Sequence, residues 1–142
     1  MTITCEIVSQ DRLVYKGEAE IVVLPGMAGQ MGILPHHSPV LTALNYGIIT
    51  VRTKEGELYF TVAGGIAEVV PDKVTVLADA AENVEEIDVE RALKARERAE
   101  ERLKLTLATD ADRYMRITTA LKRSNLRLQA AEKYRKNIKT RI

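Results

Sequence analysis

All eight glycines and all four prolines lie before Asp72, the last two being Gly65 and Pro71. An interior Gly or Pro costs a helix about 1 or 3 kcal/mol relative to Ala, so their confinement points to strands first and helices afterwards. The remainder is free to run in long helices. Charge divides at the same place. Up to Val84 there are five basic and ten acidic residues, and from Glu85 onward sixteen and ten. Within that second part, Arg113 to Ile142 carries ten basic residues against Glu132 alone, a net of +9. The whole chain of 142 residues has a net charge of only +1, so nothing pulls it in bulk toward nucleic acid or a membrane surface.

Six short β-branched runs recur between turn signals in the first part: Ile3 to Val8, Ala19 to Leu24, Gly47 to Val51, Leu58 to Ala63, Ile66 to Val70 and Val74 to Ala78. Each has strand length, and most read as apolar on both faces. Residues 53–57 and Pro71-Asp72 have the composition of hairpin connections. The expected architecture is an N-terminal antiparallel β-sandwich over residues 1–84.

From Ile87 the period becomes helical. Ala92, Ala95, Ala99 and Leu103 form one stripe, and Ile117, Leu121, Leu128, Ala131 and Ile138 a second. Asp88 is placed to cap the first helix and Thr109 or Asp110 the second, with the join between Leu105 and Thr109. The expected C-terminal unit, residues 85–142, is an antiparallel two-helix hairpin that closes on small Ala side chains. Two thin helices bury little, so their packed state should be movable.

Several motifs read as bland. The glycine-rich stretch from Gly26 to Gly32 lacks the Gly-Lys-Ser/Thr ending of a phosphate loop and reads as a turn. His36 and His37 are the only histidines, and with Cys5 distant they make no zinc set. Ser38 beside His37 has neither an orienting acid nor oxyanion donors pointed out by the sequence, so a hydrolase is a distant reading. Gly64-Gly65 reads as a tight corner or a close backbone approach. Cys5 is the single cysteine and forms no internal disulfide. The amino terminus has no signal-peptide pattern and no apolar run long enough to span a membrane, so the chain as written is expected to be soluble.

Two features carry more. Ile87-Asp88-Val89-Glu90-Arg91-Ala92 places Asp88 and Arg91 on the first turn of a helix, which a capping aspartate with a local ion pair also explains. Arg116, Arg123 and Arg127, spaced by 7 and 4, share a helix face with no acid between them. Like charges so aligned repel, and an anionic partner relieves the cost.

Three stretches together resemble the epsilon subunit of F-type ATP synthases: Gly29 to Pro39, Ala63 to Val69, and Val74 to Ala78. The resemblance continues into the hairpin and matches in length and domain order. It implies a non-catalytic subunit of a rotary, proton- or sodium-driven ATP synthase, peripheral on the cytoplasmic face of the bacterial plasma membrane and held there only through the complex. Its sandwich would sit at the foot of the central stalk against the gamma subunit and the c-ring. The c-ring contact would fall on Gln30, Met31, Gly32, His37 and Ser38, although Gln30 stands where many relatives carry an acid.

The resemblance also implies a hairpin that either folds down or extends into the catalytic head of alpha and beta subunits, where it hinders ATP hydrolysis. Arg116, Lys122, Arg123 and Arg127 would make that inhibitory contact. In some bacterial relatives the folded hairpin binds ATP through a motif that Ile87, Asp88, Arg91 and Ala92 match, with Glu82, Arg123 and Arg127 completing the set. No cofactor is required, ATP being a regulatory ligand. The competing reading is a nucleic-acid-binding module built on the basic helix. Only Tyr114 and Tyr134 are available there for stacking, so nucleic acid is not expected as a partner.

Overall fold

The computed structural model describes residues 1–107 and 109–135. The chain divides into two compact units, Met1–Asn83 and a second that begins at Val84.

The first unit contains eight strands: β1 (Ile3–Val8), β2 (Leu13–Ala19), β3 (Ile21–Gly26), β4 (Gly29–Ile33), β5 (Val40–Thr53), β6 (Gly56–Val70), β7 (Lys73–Ala78) and β8 (Ala81–Asn83). Their hydrogen-bonded order is β2-β1-β7-β6-β5-β3-β4, with β8 also on β6. Fourteen-residue β5 and fifteen-residue β6 run through the whole unit as one long hairpin. β6 pairs with β8 through Phe60–Val62 and with β7 through Gly65–Val70, so one strand serves both halves of the sandwich. All pairings are antiparallel except β1 with β7, which is parallel.

Alternation, rather than two apolar faces, governs burial. In β1, β3 and β7 every second residue is buried and most of those between are half-covered. The core gathers Ile3, Cys5, Ile7, Val22, Leu24, Ile33, Ile49, Phe60, Val62, Val74 and Val76. Burial pushes the Cys5 thiol pKa from 9.0 up to about 12. Tyr15 lies over Phe60 with ring centroids 5.2 Å apart.

Several strands depart from the sequence reading, β5 by its length and β8 by its absence from it. β2 is absent from it because Lys16, Gly17 and Glu18 interrupt any apolar run, as an edge strand tolerates. The stretch read as a turn is itself half strand: Met27 and Ala28 turn the chain, and Gly29–Ile33 returns as β4 on β3. β6 passes without interruption through Gly64 and Gly65, where φ is +84° and +134°. A Cβ on Gly65 would strike the Leu77 carbonyl and lie 2.8 Å from the Ala78 Cα. Close backbone approach between β6 and β7 is therefore the reason for glycine here.

In the second unit a single 3-10 turn, Val84–Glu86, leads into α1 (Val89–Leu105), and α2 (Ala111–Tyr134) follows. The Asp88 carboxylate accepts the Arg91 N–H and the Asp110 carboxylate the Arg113 N–H, so both helices begin on an aspartate. Ala92 and Ala99 of α1 and Ile117, Ser124, Ala130 and Ala131 of α2 are buried. Ala95, Leu103, Leu121 and Leu128 are half-buried, and Ile138 lies outside the described residues. Buried Ser124 satisfies its hydroxyl by donating to the Ala120 carbonyl at 3.0 Å.

Candidate functional site

The helices pack antiparallel. One cleft between them is lined by Ala95, Ala99 and Arg102 from α1 and by Arg113, Ile117 and Ala120 from α2. At the other end Arg135, just past α2, donates from Nη2 to the Val84 carbonyl at 3.1 Å and to the Ile87 carbonyl. Arg123 and Arg127 lie between these two levels of α2, and so run alongside the opening turns of α1. Ile87 and Ala92 are buried, whereas Asp88 and Arg91 are exposed beside them.

The motif's two charged residues are joined by the cap alone. The Asp88 Oδ1 accepts the Arg91 backbone N–H at 3.0 Å, and among the described residues no Asp88–Arg91 ion pair accompanies it. The guanidinium of Arg91 stays exposed. Of the three aligned arginines, Arg116 and Arg123 line a shared groove with Asp112, Met115 and Thr119, and Arg127 does not join them there. Arg116, Lys122 and Arg123 are exposed, while Arg127 is half-buried. Glu82 belongs to the first unit, on β8, in register with Thr61, whose hydroxyl donates to its carbonyl.

Two features of this unit escaped the sequence reading. Arg135 acts as a clamp: it also lies 4.0 Å from a Glu85 carboxylate oxygen, and its Nε is buried without a hydrogen-bond partner. Nothing in a long basic tail singles out one arginine for this role. The second is the cleft, where Arg98 and Arg102 stand opposite Arg113 and Arg116. Their spacings of four and three were readable as one face of each helix.

In the first unit, Gln30 and Gly32 are exposed on β4, at the end of the sheet order, with Met31 half-buried. Leu34 follows at 56% exposure. His36 takes a left-handed φ of +67° and donates its N–H to the Pro71 carbonyl at 2.8 Å, which pins the loop to the β6–β7 turn. His37 is half-buried, Ser38 exposed. Nδ1 of His37 lies 2.7 Å from the Ser38 carbonyl oxygen, so this ring nitrogen is spent on backbone rather than on the neighbouring hydroxyl. Among the described residues no three His, Cys, Asp or Glu side chains converge as metal ligands, and no helix is long and apolar enough to cross a membrane.

A β-sandwich unit followed by a long helical unit is the arrangement of two sequence families that lie end to end on this chain. Residues 2–84 match the ATP synthase delta/epsilon chain β-sandwich domain, and residues 85–132 match its long α-helix domain. The chain is 43% identical over 138 residues to the ATP synthase epsilon chain of Dehalococcoides mccartyi, covering 93% of this chain and 94% of that one. It is 43% identical over 131 residues to that of Synechococcus elongatus, covering 92% and 96%. Among solved structures, a chain of the Euglena gracilis mitochondrial ATP synthase superposes with a TM-score of 0.69 at 24% identity, over 84% of this chain and 75% of that one. The chain belongs to the epsilon-chain family of F-type ATP synthases.

Proposed function

We propose that the chain is the rotor-stalk subunit that couples the catalytic head to the c-ring and restrains ATP hydrolysis through its hairpin. The sandwich is the attached part. It meets gamma and the c-ring, using Gln30, Met31, Gly32, His37 and Ser38 for the ring, and the chain reaches the cytoplasmic face of the membrane only through the complex. What supports this use is a pinned loop that exposes Leu34 beside polar Gln30 and Ser38.

The hairpin is the regulatory part. Closed, it sets the Ile87–Ala92 turn beside the stretch of α2 that carries Arg123 and Arg127, and the motif takes ATP there. Open, it presents Arg116, Lys122, Arg123 and Arg127 to acidic surfaces of the alpha and beta subunits. ATP favours the state it binds better and so keeps the inhibitory arm down. The observation that carries this reading is the antiparallel closure itself, in which Arg135, just past α2, bonds the Ile87 carbonyl and so sets the C-terminal half of α2 beside the Asp88 cap.

Titration of ATP into the full chain, followed by heat and by melting of the helical signal, tests it. Saturable binding raises hairpin stability by about 2.7 kcal/mol at a hundredfold excess over Kd, and Arg123→Ala abolishes the gain. Absence of binding at millimolar ATP would reduce Asp88 to a helix cap.

A further inference from the structure

The two helices are joined at one end by the residues between Leu105 and Ala111 and are free at the other, so their separation begins at the free end. Little along the seam resists it. The buried residues are Ala92 and Ala99 of α1 and Ile117, Ser124, Ala130 and Ala131 of α2, mostly side chains too short to bury much area. The free end is built differently. With 24 residues against 17, α2 runs roughly two turns past the start of α1, where it packs on the 3-10 turn Val84–Glu86. There Arg135 donates from Nη2 to the Val84 carbonyl at 3.1 Å, to the Glu85 carbonyl at 3.4 Å and to the Ile87 carbonyl. Those carbonyls precede the ladder of α1, which starts at Asp88, the acceptor of the Ala92 N–H at 3.0 Å. They form the carbonyl end of the 3-10 turn, where a cationic side chain is a favoured partner. The backbone N–H of Arg135 donates to the Ala131 carbonyl at 3.2 Å, so one residue ends α2 and holds the approach to α1. Its Nε is buried and has no hydrogen-bond partner among the described residues. Release returns that nitrogen to water, which lowers the cost of unseating the guanidinium.

We propose that Arg135 is the latch of the hairpin: seated on the carbonyls of Val84, Glu85 and Ile87 it holds the free end closed, and its withdrawal is the first step of opening. The latch presupposes the moving hairpin of the proposed function, but neither a nucleotide site nor an inhibitory contact. One charge-assisted hydrogen bond is worth a shift of roughly tenfold to a hundredfold in such an equilibrium, so loss of the guanidinium moves population from closed to open. Helices of this length are marginal in water once separated, and opening is therefore read by their amide exchange.

Amide hydrogen exchange of the full chain, followed by mass spectrometry on the wild type, Arg135→Gln, Arg135→Lys and Lys133→Gln, tests this, with circular dichroism showing that each keeps its helices. Arg135→Gln is expected to speed exchange at least about tenfold in the first turns of α1 as well as the last turns of α2, less toward Leu105, and not in the sandwich. Arg135→Lys keeps the charge but loses the planar fork and falls between. Lys133→Gln removes an exposed neighbouring charge and matches the wild type. Faster exchange confined to the last turn of α2 reduces Arg135 to a cap of its own helix and overturns the latch. Equal acceleration by Lys133→Gln also overturns it, assigning the effect to charge at the helix terminus. Unchanged exchange in Arg135→Gln overturns the latch and leaves the moving hairpin standing. Wild-type helices that exchange only together with the sandwich core overturn both.

Discussion

Cys5 shows how burial alone sets the chemistry of a side chain. In the native sandwich the thiol stays protonated to about 12, against 9.0 in an exposed chain. Between those values the unfolded chain binds fewer protons than the native one, so stability falls as pH rises through that window and is unaffected below it. Cys5→Ala is expected to flatten the alkaline side of the stability profile, measured by urea unfolding at pH 8 to 10. The native thiol should also resist iodoacetamide at pH 8 until denaturant is added. Arg91 is the reverse case. Its backbone is fixed by the Asp88 cap while its guanidinium stays exposed, so one residue can serve the fold and still face a ligand.

Gly65 and Ile117 each test one element. Gly65→Ala adds a Cβ against the backbone of Leu77 and Ala78 at a φ that L residues avoid. About 2 kcal/mol or more of sandwich stability should be lost, seen as a lower urea midpoint, and a loss under 0.5 kcal/mol would mean that β6 and β7 can separate without cost. Ile117 is the one large apolar side chain of α2 that is buried in the described hairpin, 7% exposed. Ile117→Ala should cost about 2 kcal/mol and speed amide exchange along α2. The helices were legible because Gly and Pro are absent there and because Asp88 and Asp110 are strong caps. The strands were legible only in part. Strand β2 is too polar to register as a strand, β4 begins at a glycine, and β5 and β6 are longer than any apolar run within them, since tertiary pairing overrides local pattern. Of the candidate site, the Ile87–Ala92 turn was readable from local spacing. The Arg135 clamp and the four-arginine cleft were not, because they depend on which residues two helices bring opposite each other.

At the scale of the molecule, the acidic sandwich and the basic helices are separate compact units, and the proposed function rests on that separation. In the proposed function a stable sandwich stays attached while a thin hairpin, closed on alanines, changes state. The measurement that tests this most directly is the ATP hydrolysis rate of an ATP synthase catalytic head lacking its own epsilon chain, with co-sedimentation recorded alongside. Added full-length chain is expected to bind and slow hydrolysis, and the variant Arg116→Ala, Arg123→Ala, Arg127→Ala to bind equally well while slowing it far less. Failure of the chain to co-sediment, or equal slowing by the triple variant, would contradict the account.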